Sequence, residues 1–228
     1  MEYIFKEYKG DYEDYKYPYL VYLQADDHDN KNEIYEKGFL ATRIKKNYYY
    51  LTRNLRIDLK EFSLNSENRR VLKKTEGLEI ENKKLKNFDF DYSLSKLATD
   101  FSKKQFNKII ITPKKLKWLF EGEFFTNVLI YKLDGKEIGY CITMETEDLL
   151  HYAYPFYNPE LIGSNIGMGM MIKAIEYAKE NSKKYVYLGT VYTPKSLYKI
   201  QFRGIEWFDE NSWSRDVEKL KNKIKEEN

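Results

Sequence analysis

The arrangement of the C-terminal half of the chain restricts the possible folds most. Two apolar segments, Phe124 to Leu133 and Lys136 to Glu145, are joined by Asp134-Gly135, a turn dipeptide typical of β-hairpins. Three further segments follow in the order strand, helix, strand: Leu149 to Tyr157, about Met168 to Asn181, and Tyr185 to Gly189. A hairpin that leads into a strand–loop–helix–strand unit predicts an α/β protein of α+β type with a mixed sheet.

The rest of the chain predicts strands first and helices afterwards. Strands are predicted at three apolar, Tyr-rich segments and a turn at one polar segment: Tyr17–Gln24, Gly38–Ile44, Tyr48–Ile57, and Asp26–Asn32. A short basic helix is predicted over Ser66–Lys74, with Ser63 or Ser66 as its N-cap, and an amphipathic helix over Tyr92–Lys108. Thr112-Pro113 begins another helix, because a capping hydroxyl followed by proline is a preferred start. Two more helices are predicted near the end: Pro194–Ile200 and Val217–Lys225.

Composition excludes several classes of protein. Of the 228 residues, 42% are hydrophobic and 17% aromatic, which is too rich in packing groups for a disordered chain. The single cysteine, Cys141, excludes an internal disulfide and a cysteine-based metal cage, and we expect no metal site. The first residues contain no uninterrupted apolar run, so we expect no signal peptide, no membrane span and a cytoplasmic protein.

Charge is unevenly distributed although the net charge is only +3. The segment up to Glu36 is acidic, whereas the segments 43–74 and 96–117 are strongly basic. Clustered cations beside an acidic segment favour a polyanionic partner that binds one surface. The alternative is an ordinary solvated surface rich in lysine, and charge alone does not separate the two interpretations.

The loop after the predicted strand Leu149–Tyr157 contains Gly167 and Gly169 and runs into a helix. Free backbone N–H groups at a helix N-terminus favour a phosphate or the oxyanion of an acyl transfer. The loop resembles the one that holds the pyrophosphate of acyl-CoA in GNAT-type acyltransferases. Ser164, however, stands where those enzymes usually carry Gln or Arg. The alternative is that both glycines permit close packing of helix against sheet.

Further motifs recur in the order expected for one family. The first group is Gly38-Phe39, an Arg-bearing strand and a Ser- and Arg-rich run: Tyr35–Phe39, Tyr50–Arg53, Arg56-Ile57 and Phe62–Lys74. The second and third groups surround the glycine loop and the last predicted strand: Tyr154–Pro159, Asn165–Gly167, Ile175–Ala178, Tyr185–Gly189 and Tyr198–Arg203. From about Tyr35 to Glu206 the chain thereby resembles the arginyl/leucyl-tRNA–protein transferase family.

Three departures from that family accompany the resemblance. The family usually carries an N-terminal cysteine cluster, whereas this chain has residues such as Tyr19, Thr52 and Asn54 there. Asn158 replaces the usual Asp, and Gly204 stands where Pro is usual.

The resemblance implies a fold, an activity and its partners. The fold is a GNAT-like acyltransferase domain over 91–228, preceded by a β-rich, family-specific region over 1–90. The activity is transfer of Arg or Leu from aminoacyl-tRNA to the N-terminal amino group of an acceptor protein or peptide, one that starts with Asp or Glu. Because the tRNA ester is already activated, no cofactor beyond aminoacyl-tRNA as co-substrate is expected, and the enzyme has to orient the amine and stabilise an oxyanion.

Candidate site residues follow from the chemistry and the resemblance. Hydroxyls that could bind the amine, the ribose or the leaving oxygen, and a carboxylate that could accept the proton of the amine, are Tyr154, Tyr157, Tyr187 and Glu145, with Asp148 as a second carboxylate. Groups that could bind the substrates are Ile166, Gly167, Gly169, Tyr198, Lys199 and Arg203, of which Lys199 and Arg203 would bind the acidic side chain of the acceptor. Cations that could contact tRNA phosphates are Arg53, Arg69, Arg70, Lys73 and Lys74.

Structural explanations compete with several of these assignments. Lys199 could pair with a surface carboxylate while Tyr198 fills the core. The cations of the predicted helix Ser66–Lys74 could balance the charge at a helix C-terminus. Cys141 and His151 are expected to be structural, and Met168, Met170 and Met171 line either a pocket for the transferred side chain or the helix core. Two other functions also remain: a GNAT enzyme that uses acyl-CoA, and an inactive module that binds tRNA or peptide.

Overall fold

The structure is a computed structural model that describes residues 1–7 and 19–227. Its strands are Glu2–Glu7 (β1), Tyr19–Gln24 (β2), Phe39–Ala41 (β3), Tyr48–Leu51 (β4), Asn54–Asp58 (β5), Leu78–Lys84 (β6), Asn127–Leu133 (β7), Lys136–Glu145 (β8), Leu149–Tyr157 (β9), Tyr185–Thr190 (β10), Ile205–Asp209 (β11) and Ser212–Ser214 (β12). Its α-helices are Lys31–Glu36 (α1), Ser66–Lys74 (α2), Tyr92–Phe106 (α3), Pro113–Glu121 (α4), Ile166–Glu180 (α5) and Val217–Glu227 (α6). Short 3₁₀ helices cover Leu85–Asn87, Pro159–Leu161 and Pro194–Gln201.

The strands form two sheets. The larger sheet has the order β12-β11-β5-β10-β9-β8-β7-β6, and the smaller one has the order β1-β2-β4-β3. In the larger sheet β9 and β10 are parallel, whereas the other neighbours are antiparallel. The prediction of an α/β protein with a mixed sheet is confirmed. The first two residues of the predicted strand Tyr17–Gln24 lie outside the described residues.

The large sheet draws strands from both ends of the chain. β5 and β6 precede residue 90, yet β5 lies between β10 and β11, and β6 pairs with β7 at the edge of the sheet. The buried side chains of both sheets form one continuous hydrophobic cluster. The division of the chain at residue 90 stays a prediction.

Local turn and cap chemistry explains the elements that the sequence predicts well. Asp134 and Gly135 both adopt positive φ, as a two-residue hairpin turn requires, and they join β7 to β8. Thr112 accepts a hydrogen bond from the Lys115 N–H and Pro113 opens α4, as predicted. α2 has the predicted bounds.

Two local predictions are wrong. The cap of α2 is Asn65, not Ser63 or Ser66, because Asn65 and Asn68 exchange side-chain-to-backbone hydrogen bonds in a capping box. The predicted strand Tyr48–Ile57 is two strands, since β4 pairs within the small sheet and β5 within the large one. The turn predicted over Asp26–Asn32 is present, with the Asp29 N–H donating to the Asp26 carbonyl at 3.2 Å, but its last two residues lie in α1.

α5 begins at Ile166, two residues earlier than predicted, and β6 was not predicted at all. β6 is half charged and lies at the edge of the sheet, where one side of the strand faces water, so its apolar signal is weak. No helix in the described part of the chain is both long and apolar enough to cross a membrane.

Candidate active site

The centre of the large sheet contains a gap. β9 and β10 pair only between Leu149–His151 and Tyr185–Tyr187, although β9 continues to Tyr157 and β10 to Thr190. Gly189, which follows a register irregularity in β10, has a φ of +78°. We call the space between Tyr152–Tyr157 of β9 and Leu188–Thr190 of β10 the opening. Its two backbone edges are not joined by a ladder of hydrogen bonds.

Lys199 extends from the 3₁₀ helix Pro194–Gln201 towards this opening. Its Nζ donates a hydrogen bond to the carbonyl of Thr190 at 3.1 Å and lies 3.9 Å from the position of a Cβ atom built on Gly189. Within residues 1–7 and 19–227, no carboxylate lies within 4.0 Å of it. Desolvation lowers the pKa of Lys199 to about 8. The expected alternative, a salt bridge to a surface carboxylate, is therefore absent from the described structure.

His151 lies at the point where the paired part of β9 ends. Its Nδ1 is 2.9 Å from the hydroxyl of Tyr35, and both side chains are buried. Burial, and secondarily the positive charge of Lys199, lower the pKa of His151 to about 3. His151 is thus neutral and hydrogen-bonded, as expected for a structural histidine, and it is a poor base near neutral pH.

Two of the three predicted tyrosines border the opening. Tyr154 and Tyr157 lie on the part of β9 that does not pair with β10. Because they are three residues apart, they face opposite sides of the sheet. The Tyr154 ring packs edge-on against Phe125, and the Tyr157 ring lies 4.7 Å from that of Phe101. Burial raises the pKa of both hydroxyls, so both stay protonated at neutral pH and act as hydrogen-bond donors.

Tyr187 is placed differently from the other two tyrosines. It lies in the paired part of β10 and is 1% exposed. Its hydroxyl is 3.4 Å from Nη1 of Arg56, and its ring packs edge-on against Tyr35 and Trp213. The structure therefore assigns Tyr187 to the core below the opening rather than to its rim.

Glu145 has to be removed from the candidate site. It pairs with Leu150 on the already closed part of β9, and its carboxylate is only 8% exposed. The carboxylate accepts hydrogen bonds from Asn82 at 3.0 Å and Tyr177 at 3.1 Å, and it pairs with Lys183 at 3.0 Å. The prediction that Glu145 accepts a proton during catalysis is corrected, because these partners hold it away from the opening. Asp148 likewise pairs with Lys184 and accepts a hydrogen bond from Asn32.

Tyr198 and Arg203, which are close to Lys199 in the sequence, lie in different surroundings. Tyr198 is 50% exposed rather than a core residue. Arg203 lies beyond the 3₁₀ helix and donates to Oγ of Ser63 at 3.2 Å. Of the two cations predicted to bind the acceptor side chain, the structure brings only Lys199 to the opening.

The glycine loop has a clear packing function. A Cβ atom built on Gly167 would lie 3.0 Å from the hydroxyl of Tyr157, and one on Gly169 would lie 2.7 Å from Oγ1 of Thr75 at the end of α2. Both glycines thus permit the close packing that was the alternative to anion binding. α5 nevertheless begins without a side-chain cap, since Asn165 makes no capping hydrogen bond. The first backbone N–H groups of α5 therefore have no side-chain cap, and they lie at the start of the helix next to the buried Ile166.

The predicted tRNA contacts are partly occupied by protein groups. Arg53 makes a bidentate pair with Glu227 at 2.6 and 2.8 Å, so its charge is already balanced. On α2, Arg70 pairs with Glu67 and Arg69 donates to the Leu64 carbonyl. Lys73 and Lys74, in the last turn of α2, are exposed and make no ion pair with any described residue.

A cavity of about 320 Å³ lies at the opposite end of the paired segment of β9 and β10. Its lining consists of Asn32, Glu33, Glu36, Asp148, Leu149, Lys184, Tyr185 and Tyr187. Two of its carboxylates are already paired, Glu36 with Arg56 and Asp148 with Lys184. In the described parts of the chain, no three His, Cys, Asp or Glu side chains are arranged to hold a metal ion.

Two residues around the opening have no signal in the sequence. Tyr35 is separated from His151 by more than 100 residues, and Thr190 contributes only its carbonyl. These relationships depend on long-range packing, which no local pattern encodes.

More than half of the sequence is similar to a known protein family, and shorter or longer parts are similar to named proteins. Residues 81–209 match the family described as "Arginine-tRNA-protein transferase, C terminus". A protein named aspartate/glutamate leucyltransferase from Dinoroseobacter shibae is 36% identical over 77 residues, which are 33% of this chain and 27% of that protein. One of the same name from Pseudoalteromonas atlantica is 24% identical over 162 residues, 70% of each chain. The match thus spans only about a quarter of the length of the first of these relatives.

Solved structures show weaker likeness. The C-terminal domain of a putative lysylphosphatidylglycerol synthetase from Agrobacterium fabrum has a TM-score of 0.48 and 14% identity, over 61% of this chain and 46% of that one. FemX has a TM-score of 0.47 and 9% identity, over 68% and 55%. The family match covers more than half of the 228 residues and includes β7 to β10, α5 and Lys199. This chain belongs to the arginine-tRNA-protein transferase family.

Proposed function

We propose that this protein transfers an amino acid from aminoacyl-tRNA to the N-terminal amino group of an acceptor protein that begins with Asp or Glu. Family membership and the names of the relatives support this proposal. The observation that carries it is the desolvated ammonium group of Lys199 beside the opening, which has no carboxylate of a described residue within 4.0 Å. A desolvated cation without a carboxylate partner favours an incoming anion, and an acidic side chain at the acceptor N-terminus would supply one.

The opening would align the acceptor with the ester. Lys199 would bind the acidic side chain and thereby place the neighbouring α-amino group near the unpaired edge of β9. The neutral amine attacks the ester carbonyl, the new C–N bond forms, and the C–O bond to the ribose breaks with the proton of the amine ending on the ribose oxygen. Positioning and stabilisation of the oxyanion supply the catalysis, since the donor is already activated.

The tyrosine hydroxyls and the start of α5 would provide the hydrogen bonds. Tyr154 and Tyr157 stay protonated, and a protonated hydroxyl can donate to the developing oxyanion or to the leaving oxygen. The uncapped N–H groups of α5 lie next to Tyr157, whose hydroxyl contacts Gly167. No carboxylate is needed to deprotonate the acceptor, because an α-amino group with an ordinary pKa of about 8 is already neutral in about a fifth of the molecules at pH 7.4.

Leucine is the first donor to test. The relatives are named for leucine transfer to Asp and Glu, whereas the family description names arginine. The buried Met170 and Met171 and the half-buried Met168 face the core around α5. Met170 and Met171 therefore belong to the helix core, and the choice of leucine as the first donor rests on the names of the relatives.

One assay tests the function against its alternatives. The protein is incubated with labelled leucyl-tRNA or arginyl-tRNA and peptides that begin with Asp, Glu, Arg or Lys. We expect label on the Asp and Glu peptides, and no label after ribonuclease treatment. Transfer from acetyl-CoA alone would support an acyl-CoA-dependent enzyme, and tRNA retention without transfer would support an inactive binding module.

A further inference from the structure

A strongly basic surface lies outside the opening, on the last turn of α3, the loop that follows and the first turns of α4. Its lysines are Lys103, Lys104, Lys108, Lys114, Lys115 and Lys117. No Asp or Glu occurs between Phe101 and Phe120. Of the six lysines, only Lys117 has a carboxylate of a described residue within 4.0 Å, that of Glu121 at 3.7 Å. We call these six lysines the α3–α4 basic surface.

Arg43 extends this surface across to the small sheet. Its Nη1 donates to the carbonyl of Ile110 in the α3–α4 loop at 3.4 Å. Desolvation and, secondarily, the positive charge of Arg43 lower the pKa of Lys115. Like charges held together without a carboxylate partner repel one another, and a polyanion relieves that repulsion.

α3 connects the basic surface to the opening. The ring of Phe101 on α3 lies 4.7 Å from the ring of Tyr157, which belongs to the part of β9 that does not pair with β10. A polyanion bound along α3 and α4 would therefore have one end next to the opening.

Exposed apolar side chains accompany the lysines. Phe106, Ile109 and Trp118 are 48%, 47% and 44% exposed. Aromatic rings between cations are the arrangement on which unpaired bases stack while lysines contact the phosphates. The acceptor arm of a tRNA offers both, a phosphate backbone and an unpaired 3′ end that carries the ester.

The competing surface on α2 is less suited. Arg70 is paired with Glu67, and Arg69 is hydrogen-bonded to the Leu64 carbonyl. Arg69, Lys73 and Lys74 have no ion pair to described residues, which is fewer such cations than on the α3–α4 basic surface. Charge complementarity therefore favours the α3–α4 basic surface over the α2 cations that the sequence suggested.

We propose that the α3–α4 basic surface, joined to the opening through the packing of α3 on β9, binds the acceptor arm of the donor tRNA and directs its 3′ end to the opening. This inference rests on the proposed function for the identity of the polyanion. The inference identifies the surface that binds the tRNA, which neither the family match nor the names of the relatives does.

A charge-matched pair of variants tests the proposal. Lys103→Ala/Lys104→Ala/Lys108→Ala removes three charges from the surface. The control Lys60→Ala/Lys136→Ala/Lys225→Ala removes three exposed lysines elsewhere that likewise have no carboxylate of a described residue within 4.0 Å. The dissociation constant for deacylated tRNA is measured for each protein between 50 and 300 mM KCl. All six side chains are exposed, and thermal unfolding verifies that each variant is folded.

The surface variant should bind tRNA about 10- to 100-fold more weakly at 50 mM KCl, and its log Kd against log [KCl] slope should fall by about 2 to 3, because each lost phosphate contact removes about 0.7 to 0.9. The control should change the slope by less than 1. Equal slopes for the two variants would overturn the proposal, as would a loss of slope confined to Arg69→Ala/Lys73→Ala/Lys74→Ala. Wild-type binding to anionic vesicles or acidic peptides in place of tRNA would overturn it too.

The outcome can be separated from that of the proposed function. Leucine transfer is measured from full leucyl-tRNA and from a short leucylated oligonucleotide that ends in the same three nucleotides. If the inference holds, the surface variant loses transfer from the full tRNA at low concentration and keeps transfer from the oligonucleotide. Transfer by wild type with an unaffected surface variant refutes only the inference. Wild-type tRNA binding through this surface without any transfer refutes only the proposed function.

Discussion

Replacing Lys199 by methionine should separate acceptor recognition from stability. Methionine keeps the length of the side chain and removes its charge. A hydrogen bond between a charged donor and a carboxylate contributes about 1.5–3 kcal/mol, so the preference for an Asp peptide over the matching Asn peptide should fall by about 10- to 150-fold. Rates with the Asn peptide should change much less, because its amide offers no negative charge to Lys199.

The same substitution should leave the fold intact. A pKa of about 8 in place of the ordinary 10.5 means that keeping the ammonium charged in the folded state costs about 3 kcal/mol. The folded-state pKa lies below the unfolded one, so this cost is fully present below about pH 8 and disappears as the pH rises above 10.5. Loss of the hydrogen bond to the Thr190 carbonyl offsets about 1.5–3 kcal/mol of the gain. The net effect at pH 7 is between no change and a stabilisation of about 2 kcal/mol.

Chemical unfolding at pH 7 and transfer assays with paired Asp and Asn peptides measure the two effects on the same protein. Lys199→Arg is the matched control, since it keeps a cation at the position. A Lys199→Met protein that is destabilised by more than about 1 kcal/mol and still prefers the Asp peptide would show that Lys199 is structural, and the reasoning would be refuted.

Three further predictions concern the surroundings of the opening. The kcat/KM for Asp peptides should rise towards pH 8 as the α-amino group loses its proton, and decline at higher pH as Lys199 loses its own proton. Lys199→Arg should abolish the decline. If the decline at high pH is unchanged in that variant, Lys199 is not its source. Glu145→Ala should lower the free energy of unfolding by about 3 kcal/mol, because it leaves Lys183 buried without its partner, while single-turnover transfer stays near the wild-type rate; a loss of more than about 100-fold in transfer by folded protein would return Glu145 to the active site. Gly169→Ala should destabilise by about 1–3 kcal/mol through contact with Oγ1 of Thr75, and Thr75→Ala should restore part of the loss; identical melting temperatures for Gly169→Ala and wild type would contradict the packing geometry.

The sequence predicts those parts of the fold that short-range chemistry determines. Asp134-Gly135 encodes the β7–β8 turn because few residues tolerate positive φ, and Thr112-Pro113 encodes the start of α4. The break between β4 and β5 has no comparable signal. The two strands are only two residues apart, and the change of sheet depends on partners that lie elsewhere in the chain. Propensity and periodicity do not contain that information.

The candidate site shows the same limit. Lys199 and Tyr157 were singled out from motifs, and the structure places both at the opening. Glu145 was singled out as a carboxylate at the end of a strand, but its partner Lys183 lies 38 residues further along. Arg53 was a plausible phosphate ligand until the structure paired it with Glu227. Whether a charged group is free or already paired is a tertiary property.

The most direct test of the central claim is a titration of the Lys199 ammonium group by NMR of protein labelled with ¹³C at lysine Cε. Without ligand its pKa should be about 8. Saturation with a peptide that begins with Asp should raise the pKa, since a bound carboxylate favours the charged amine, and the matching Asn peptide should leave it unchanged. A pKa that responds equally to both peptides, or to neither, would contradict the claim that Lys199 binds the acidic side chain of the acceptor at the opening.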